Sequence, residues 1–283
     1  MADQIKTWGE AAEWTWKNHW KRQRSAKTVQ FRVERISKSI GHSVPLRKLG
    51  KLSTYIELQN DILEQDGVSN ATVNRAISCV TCAVKKTHEA ELHSVRCPRV
   101  PRLEELEGRM NYFTKEQVDK MAFIAVDYFD RQDLADAIVF SAYEGVRQGE
   151  LLKLKREDID LTLNVIWVGG KPERATKSGR VRTVPIHPKV LPILERRRDS
   201  DYLFGDDWNN KDQLYTAFKK VRKYAGISED YVWHCLRHSF GTWLGEVCHP
   251  REIMALMGHA HIETTLRYCK VTDKAIHNAI SKI

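Results

Sequence analysis

The chain has 283 residues, 42% hydrophobic and 29% charged, with a formal net charge of +9. That is enough apolar material for a sizeable core, yet no apolar run approaches the ~20 residues a membrane span needs. The opening stretch, MADQIKTWGEAAEW, has no basic-then-apolar signal pattern, so a cytoplasmic setting with reduced cysteines is expected.

A basic excess points to a polyanion, nucleic acid first and an anionic membrane second. The excess is concentrated. Lys17, Lys21, Arg22, Arg24, Lys27, Arg32, Arg35 and Lys38 face the single acid Glu34 over that stretch. A solvated helix face mixes signs more evenly, so these residues are read as a phosphate-facing, DNA-binding surface.

The first hundred residues predict four helices. Thr7 and Glu10 have capping-box spacing ahead of Trp8 to Trp20. Ser25 and Thr28 open a second helix with the stripe Val29, Val33, Ile36 and Ile40, ended by Gly41. Ser53 is the expected cap of a third, carrying Ile56, Leu58, Ile62 and Leu63 and ending near Gly67. Ser69 or Asn70 starts a fourth with Val73, Ile77, Val80 and Val84. Together they fit a small helical bundle.

Six cysteines are present, and Cys79 and Cys82 form a CxxC followed by His88 and His93. The gap to His88 is shorter than the about 12 residues of zinc fingers, and the segment has helical period, so buried thiols are the better reading and no metal is expected.

The segment Arg96-Cys-Pro-Arg-Val-Pro-Arg102 then breaks the helical pattern, and an acidic run follows at Glu104 to Glu107. Proline blocks helix continuation. The expected division is therefore a helical domain over 1–96, a linker over 97–108 and a second domain over 109–283. Through Gly108 the chain has 18 Lys and Arg against 13 Asp and Glu, and beyond it 28 against 24. Both parts are basic, as a clamp with two DNA-facing halves requires.

The second part is mixed. Thr114 and Gln117 cap Val118 to Phe129, Leu134 to Tyr143 reads as a buried helix, and Glu150 to Lys155 continues helically. Val165 to Val168 and Val181 to Ile186 read as strands, joined by a glycine-containing flexible connection, and helices resume after Pro188.

Five segments can carry chemistry. They are Tyr143-Glu-Gly-Val-Arg147-Gln-Gly-Glu150, Lys177 between the two strands, His234-Cys-Leu-Arg237-His238, Gly258-His259, and Thr264-Thr-Leu-Arg-Tyr268. Each alone has an ordinary reading, as a helix staple, a solvated turn lysine, a core histidine, a capping glycine or an amphipathic tyrosine. Their order is specific. R-x-x-E, a lysine in a β-connection, H-x-L-R-H, G-H and a tyrosine nine residues on resemble the tyrosine recombinases, the group of phage integrases and Xer-like proteins. The resemblance runs in register from about Arg109 to Tyr268, and the helices before it resemble that family's core-binding domain.

The resemblance implies the fold: mainly α with a small antiparallel sheet, a four-helix core-binding domain followed by a mixed α/β catalytic domain, clamped around DNA. It implies a site-specific recombinase that cleaves and rejoins DNA through a 3′-phosphotyrosine. Tyr268 is then the nucleophile, and its phenol, with a reference pKa near 10, needs help to ionise. Arg147 and Arg237 clamp the phosphate, as forked guanidiniums can. His259 donates to the same oxygens, His234 accepts the phenolic proton, Lys177 protonates the leaving 5′-oxygen, and Glu150 orients the site. No cofactor or metal is implied. His261 beside His259 does not make a metal pair, because helical i and i+2 side chains diverge. Cys235 departs from the acidic residue usual after the first histidine of that motif.

Double-stranded DNA is the implied partner. The implied assembly is a homotetramer in the synapse and a monomer when free, with accessory DNA-bending or directionality factors. Ala275, Ile276, Ala279 and Ile280 form a stripe suited to docking on a neighbour or on their own domain. The expected role is integration or excision of a phage or mobile element. The alternatives are Xer-like resolution of chromosome dimers, a type IB topoisomerase, and a DNA-binding regulator without catalysis.

Overall fold

The computed structural model describes residues 4–23, 25–65, 67–105, 110–170 and 181–269, and the chain divides into two units, 1–108 and 109–283. Arg24, Lys177 and the Ala275, Ile276, Ala279 and Ile280 stripe lie outside the described residues.

In the first unit, Thr7 Oγ1 accepts from the Glu10 amide while Glu10 Oε2 accepts from the Thr7 amide. This reciprocal cap starts α1 (Trp8–Thr15). A π-helical turn, Trp16–Trp20, follows where a continuous α-helix was expected. The buried stripe Trp8, Ala11, Ala12 and Thr15 would pass next to His19 in an unbroken helix. The extra residue of the π turn brings Trp20 into the core instead.

The second helix, α2 (Ala26–Ile40), buries Val29 and Ile36 and ends at Gly41. Its Ser37 Oγ accepts from Trp8 Nε1 at 3.0 Å, tying it to α1. The third, α3 (Leu52–Leu63), begins after Lys51 and not at a Ser53 cap. Tyr55, Leu58, Gln59 and Ile62 form its buried face, while Ile56 and Leu63 are exposed. The expected stripe was thus rotated, because Gln59 earns its place in the interior by donating to the Pro101 carbonyl at 3.0 Å.

The longest helix, α4 (Asn70–Glu89), is capped by Ser69 and buries Val73, Ile77, Val80 and Val84. Cys79 is buried in this helix and Cys82 half-buried. Residues 97–105 run along α3 and α4: Asn74 Nδ2 donates to the Leu103 carbonyl at 2.9 Å and its Oδ1 accepts from the Leu103 amide.

The second unit opens with α5 (Lys115–Asp127), capped by the expected Thr114–Gln117 box, and α6 (Gln132–Glu144), buried along nearly its whole length. A short α7 (Gln148–Leu151) follows. The helix expected to reach Lys155 stops at Leu151 because the chain then turns extended: Lys155 bridges Tyr202, and the Leu154 carbonyl accepts from the Leu203 amide.

Three antiparallel strands come next, β1 (Ile159–Asp160), β2 (Val165–Val168) and β3 (Arg182–Pro185), in the order β1-β2-β3. The register pairs Ile166 with Val184 and Val168 with Arg182. The helices α8 (Leu191–Arg196), α9 (Lys211–Tyr224), α10 (His234–Gly245), α11 (Pro250–Met257) and α12 (Ile262–Leu266) complete the unit. Among the described residues no helix is long and apolar enough to cross a membrane.

Candidate active site

Two helix ends build the centre of the site. α6 stops at Gly145, whose φ of 60° is left-handed and whose added Cβ would fall 2.2 Å from Phe240. Only glycine fits this turn. The Gly145 carbonyl accepts from Arg237 Nη1 at 2.6 Å. The other Arg237 Nη donates to the carbonyl of Met257, the last residue of α11. A guanidinium held between two helix C-termini faces two negative dipole ends, which favours its charge. Arg237 is 2% exposed. Burial, and then its neighbours Arg147 and Arg182, push its pKa below the ordinary arginine value; an arginine remains charged at neutral pH.

Past Gly145 the chain turns extended and places Arg147 at the N-terminal boundary of α7. Glu150, one turn on, accepts from the Arg147 amide at 2.9 Å and from Arg147 Nη1 at 2.7 Å. The same carboxylate accepts from Arg182 Nη2 at 2.9 Å and Nη1 at 3.3 Å. Although burial opposes its ionisation, the Arg182 and Arg147 bonds bring the Glu150 carboxyl down to about 2. The residue expected to orient the site therefore joins two arginines.

Sequence reasoning missed Arg182, which is held in the interior by three polar contacts. Its Nε donates to the Leu256 carbonyl at 2.8 Å, so it links strand β3, the carboxylate of Glu150 and the end of α11. The signal was present. Strand side chains alternate, so residue 182 shares a face with buried Val184. An arginine on a buried face needs partners.

Tyr268 follows α12 and is 5% exposed. Its ring lies parallel to His259, centroids 5.9 Å apart at 12°. It lies against α10, where a Cβ at Gly241 would come 2.7 Å from Tyr268 Cδ1. His259 Nδ1 is engaged with Thr265 Oγ1 at 2.8 Å, which leaves Nε2 as the nitrogen available to a ligand. Burial and then Arg237, Arg147 and Arg182 lower His259 to about 4. His234 is lowered by burial and then by Arg237 and Arg147. Burial raises the Tyr268 phenol, against the opposing pull of Arg237, Arg267 and Arg147.

The structure thus brings together Arg147, Glu150, His234, Arg237, His259 and Tyr268 from four separate segments. The hydrogen-bond partner of the phenol is His238: its Nδ1 lies 2.8 Å from Tyr268 Oη. His234, expected beside the phenol, stands edge-on to His238 with centroids 4.7 Å apart. Residues 234 and 238 are four apart on α10, so one face carries both.

Of the basic residues expected to meet DNA, Lys17, Lys21, Arg22 and Lys27 are exposed, and Arg32 and Arg35 are half-buried. Lys17 pairs with Glu13 at 2.8 Å.

Comparison with known proteins bears on this arrangement. Residues 111–275 match the phage integrase family. A protein named tyrosine recombinase XerA, from Thermococcus kodakarensis, is 31% identical over 234 residues, 78% of either chain. The integrase of Escherichia phage P2 is 26% identical over 261 residues, 82% of this chain and 70% of that protein. Among solved structures, the Tn1549 transposon integrase in complex with a circular intermediate DNA superposes with a TM-score of 0.79 at 18% identity, covering 99% of this chain and 100% of that one. A lambda integrase tetramer bound to a Holliday junction superposes with a TM-score of 0.74 at 16% identity, over 92% of this chain and 79% of that one. At such identities the structural likeness speaks for the fold, which is mainly helical with a small antiparallel sheet.

Proposed function

The chain belongs to the phage integrase family of tyrosine recombinases, and from that premise we propose that Tyr268 cuts a DNA strand by attacking its phosphodiester. The product is a 3′-phosphotyrosine and a free 5′-hydroxyl. A second strand's 5′-hydroxyl attacks the phosphotyrosine and rejoins the DNA. The energy of the broken bond is retained, so the cycle draws on no nucleotide, and with cationic side chains to offset the phosphate charge the proposed mechanism uses no metal.

One observation carries the reading: the charge around Tyr268 is unbalanced. Among the described residues Arg147, Arg182 and Arg237 share the single carboxylate of Glu150, and Arg267 also acts on the phenol, so positive charge is in excess. A phosphodiester brings one negative charge, and attack by a phenolate brings a second. A surplus of cations favours the pentacoordinate state over the bound diester, and interactions realised there are the ones that accelerate a reaction. Arg147 and Arg237 are proposed to hold the non-bridging oxygens, with His259 Nε2 donating beside them. Glu150 and Arg182 hold the arginines in place. Lys177 is proposed as the acid for the leaving 5′-oxygen. The phenolic proton goes to a histidine of the 234–238 segment.

Double-stranded DNA is the proposed partner, and a homotetramer the proposed synaptic assembly. The phosphate contacts of the first unit are assigned to Lys17, Lys21, Arg22, Arg24, Lys27, Arg32 and Arg35, which supply affinity without sequence choice. The proposed role is integration or excision of a mobile element. The 31% identity to the XerA protein favours a second reading, resolution of chromosome dimers. The DNA flanking the gene separates them: an attachment site beside it supports the first, and a chromosomal dimer-resolution site elsewhere supports the second.

The chemistry is tested with a pool of nicked duplexes of random sequence, incubated with the protein in EDTA. Wild-type protein should retain DNA through denaturation in detergent, and Tyr268→Phe should retain none. An adduct with Tyr268→Phe removes the nucleophile assignment, and loss of the wild-type adduct in EDTA removes the metal-free mechanism. Lys177→Ala should slow cleavage and recover on a 5′-thio leaving group, which needs no acid.

A further inference from the structure

Resting on Tyr268 as nucleophile, we infer that His238 is a catalytic residue: it takes the phenolic proton when Tyr268 attacks and returns it when the strand is rejoined. Two histidine rings lie against Tyr268 and a third stands against one of them, and they are engaged differently. His259 lies against the tyrosine ring and engages Thr265 through Nδ1. His234 meets His238 edge-on. His238 places Nδ1 at 2.8 Å from Oη, within the reach a proton acceptor requires.

The tyrosine is fixed against this partner. His259 lies against the ring, and Gly241 admits it only because that residue has no side chain. A Cβ at Gly245 would fall 2.1 Å from the Tyr268 carbonyl oxygen, so the backbone is seated on α10 as closely as the ring. A phenol held by backbone and ring together keeps one orientation towards Nδ1.

His238 is also in the protonation state an acceptor needs. Burial lowers it first, and then the facing groups His234, Arg267, Arg237 and His259, to about 4. At neutral pH the ring is uncharged and one nitrogen carries a lone pair. The incoming phosphodiester neutralises part of the arginine field that depresses it, so the histidine gains basicity as substrate arrives. The step balances. The Tyr268 O–H bond breaks and its proton moves to His238 Nδ1. The oxygen's electron pair forms the bond to phosphorus. The bond from phosphorus to the 5′-oxygen breaks, and that oxygen takes a proton from the acid assigned to Lys177. In rejoining, each transfer reverses.

The test uses the full chain and a nicked duplex recovered by covalent capture on wild-type protein. His238→Asn keeps an acceptor oxygen near the position of Nδ1 but cannot hold a proton. It should form the covalent adduct about 100-fold more slowly or worse, the range in which a general base acts. Replacing Tyr268 by a fluorinated tyrosine, whose phenol is markedly more acidic, should recover most of that loss. Wild-type protein should change little on the same replacement. His234→Asn serves as the contrast, and its loss should not be recovered by the acidic phenol. A normal rate in both His238→Asn and His238→Ala overturns the inference. So does a slow variant that the fluorinated tyrosine does not rescue, since such a loss is structural. If Tyr268→Phe also forms adduct, the nucleophile assignment fails, an outcome the His238 rates cannot mimic.

Discussion

Two clusters of arginine and carboxylate among the described residues of the second unit differ in charge balance. In the first, Arg131, Arg196 and Arg197 meet Asp133, Asp136 and Asp207. Each sign is matched, and Gln132 adds a donor to Asp136 at 2.8 Å. In the second, three arginines share one glutamate beside Tyr268. The matched cluster has no charge to offer a ligand and acts as structure. The unmatched cluster sustains cations beside a buried tyrosine, an arrangement that becomes favourable when an anion arrives. Buried charge alone does not mark a functional site; its imbalance does.

The sharpest way to break this comparison is to truncate an arginine in each cluster. Arg197→Ala leaves Asp136, 3% exposed, without its buried partner. Urea denaturation should show a loss of about 3–5 kcal/mol, while cleavage per folded molecule stays within about threefold. Arg237→Lys keeps the charge but not the fork. Single-turnover cleavage should fall at least ~100-fold, about 3 kcal/mol, with a smaller change in stability. The comparison fails if the two variants exchange phenotypes.

Glu144 sharpens the contrast as a carboxyl group with no cation beside it among the described residues. It is fully buried, accepts one bond from the His187 amide at 2.9 Å, and its other oxygen has no partner among the described residues. Burial raises it to about 8. The folded state therefore holds a proton that the unfolded state has released above its ordinary value of 4.5. Stability is fully present below that value and falls as pH rises through 8. Thermal melts should show a loss of about 2 kcal/mol between pH 6 and pH 8, and Glu144→Gln should remove that slope.

Glu150 carries the opposite sign. Its folded value of about 2 lies below the ordinary 4.5, so its contribution is present above pH 4.5 and is lost as pH falls towards 2. Glu150→Gln should flatten that acid limb and slow cleavage about tenfold, roughly 1.4 kcal/mol, without weakening DNA retention.

Much of this was legible in the sequence, for identifiable reasons. Local capping signals at Thr7, Ser69 and Thr114 placed helix starts correctly because a cap is made by neighbours in sequence. The α3 stripe was misplaced because Gln59 is buried by a partner 42 residues away, which periodicity does not register. The π turn that admits Trp20 and the early end of α7 likewise depend on packing and on a bridge to Tyr202. At the site, motif order found Arg147, Glu150, Arg237, His259 and Tyr268, which the structure brings together. It did not single out Arg182, whose partners come from three distant segments. It also set His234 beside the phenol, where the structure has His238, because residues on one helix face are distinguished only by the tertiary position of Tyr268.

The central claim, that the unmatched arginines serve a phosphate attacked by Tyr268, is tested most directly by locating the covalent bond. Protein trapped on the nicked duplex in EDTA is digested with protease and nuclease, and the nucleotide-bearing peptide is sequenced by mass spectrometry. The account predicts one modified peptide, with Tyr268 linked to a 3′-phosphate. A 5′-linked phosphate, or a phosphate on any other side chain, would contradict it.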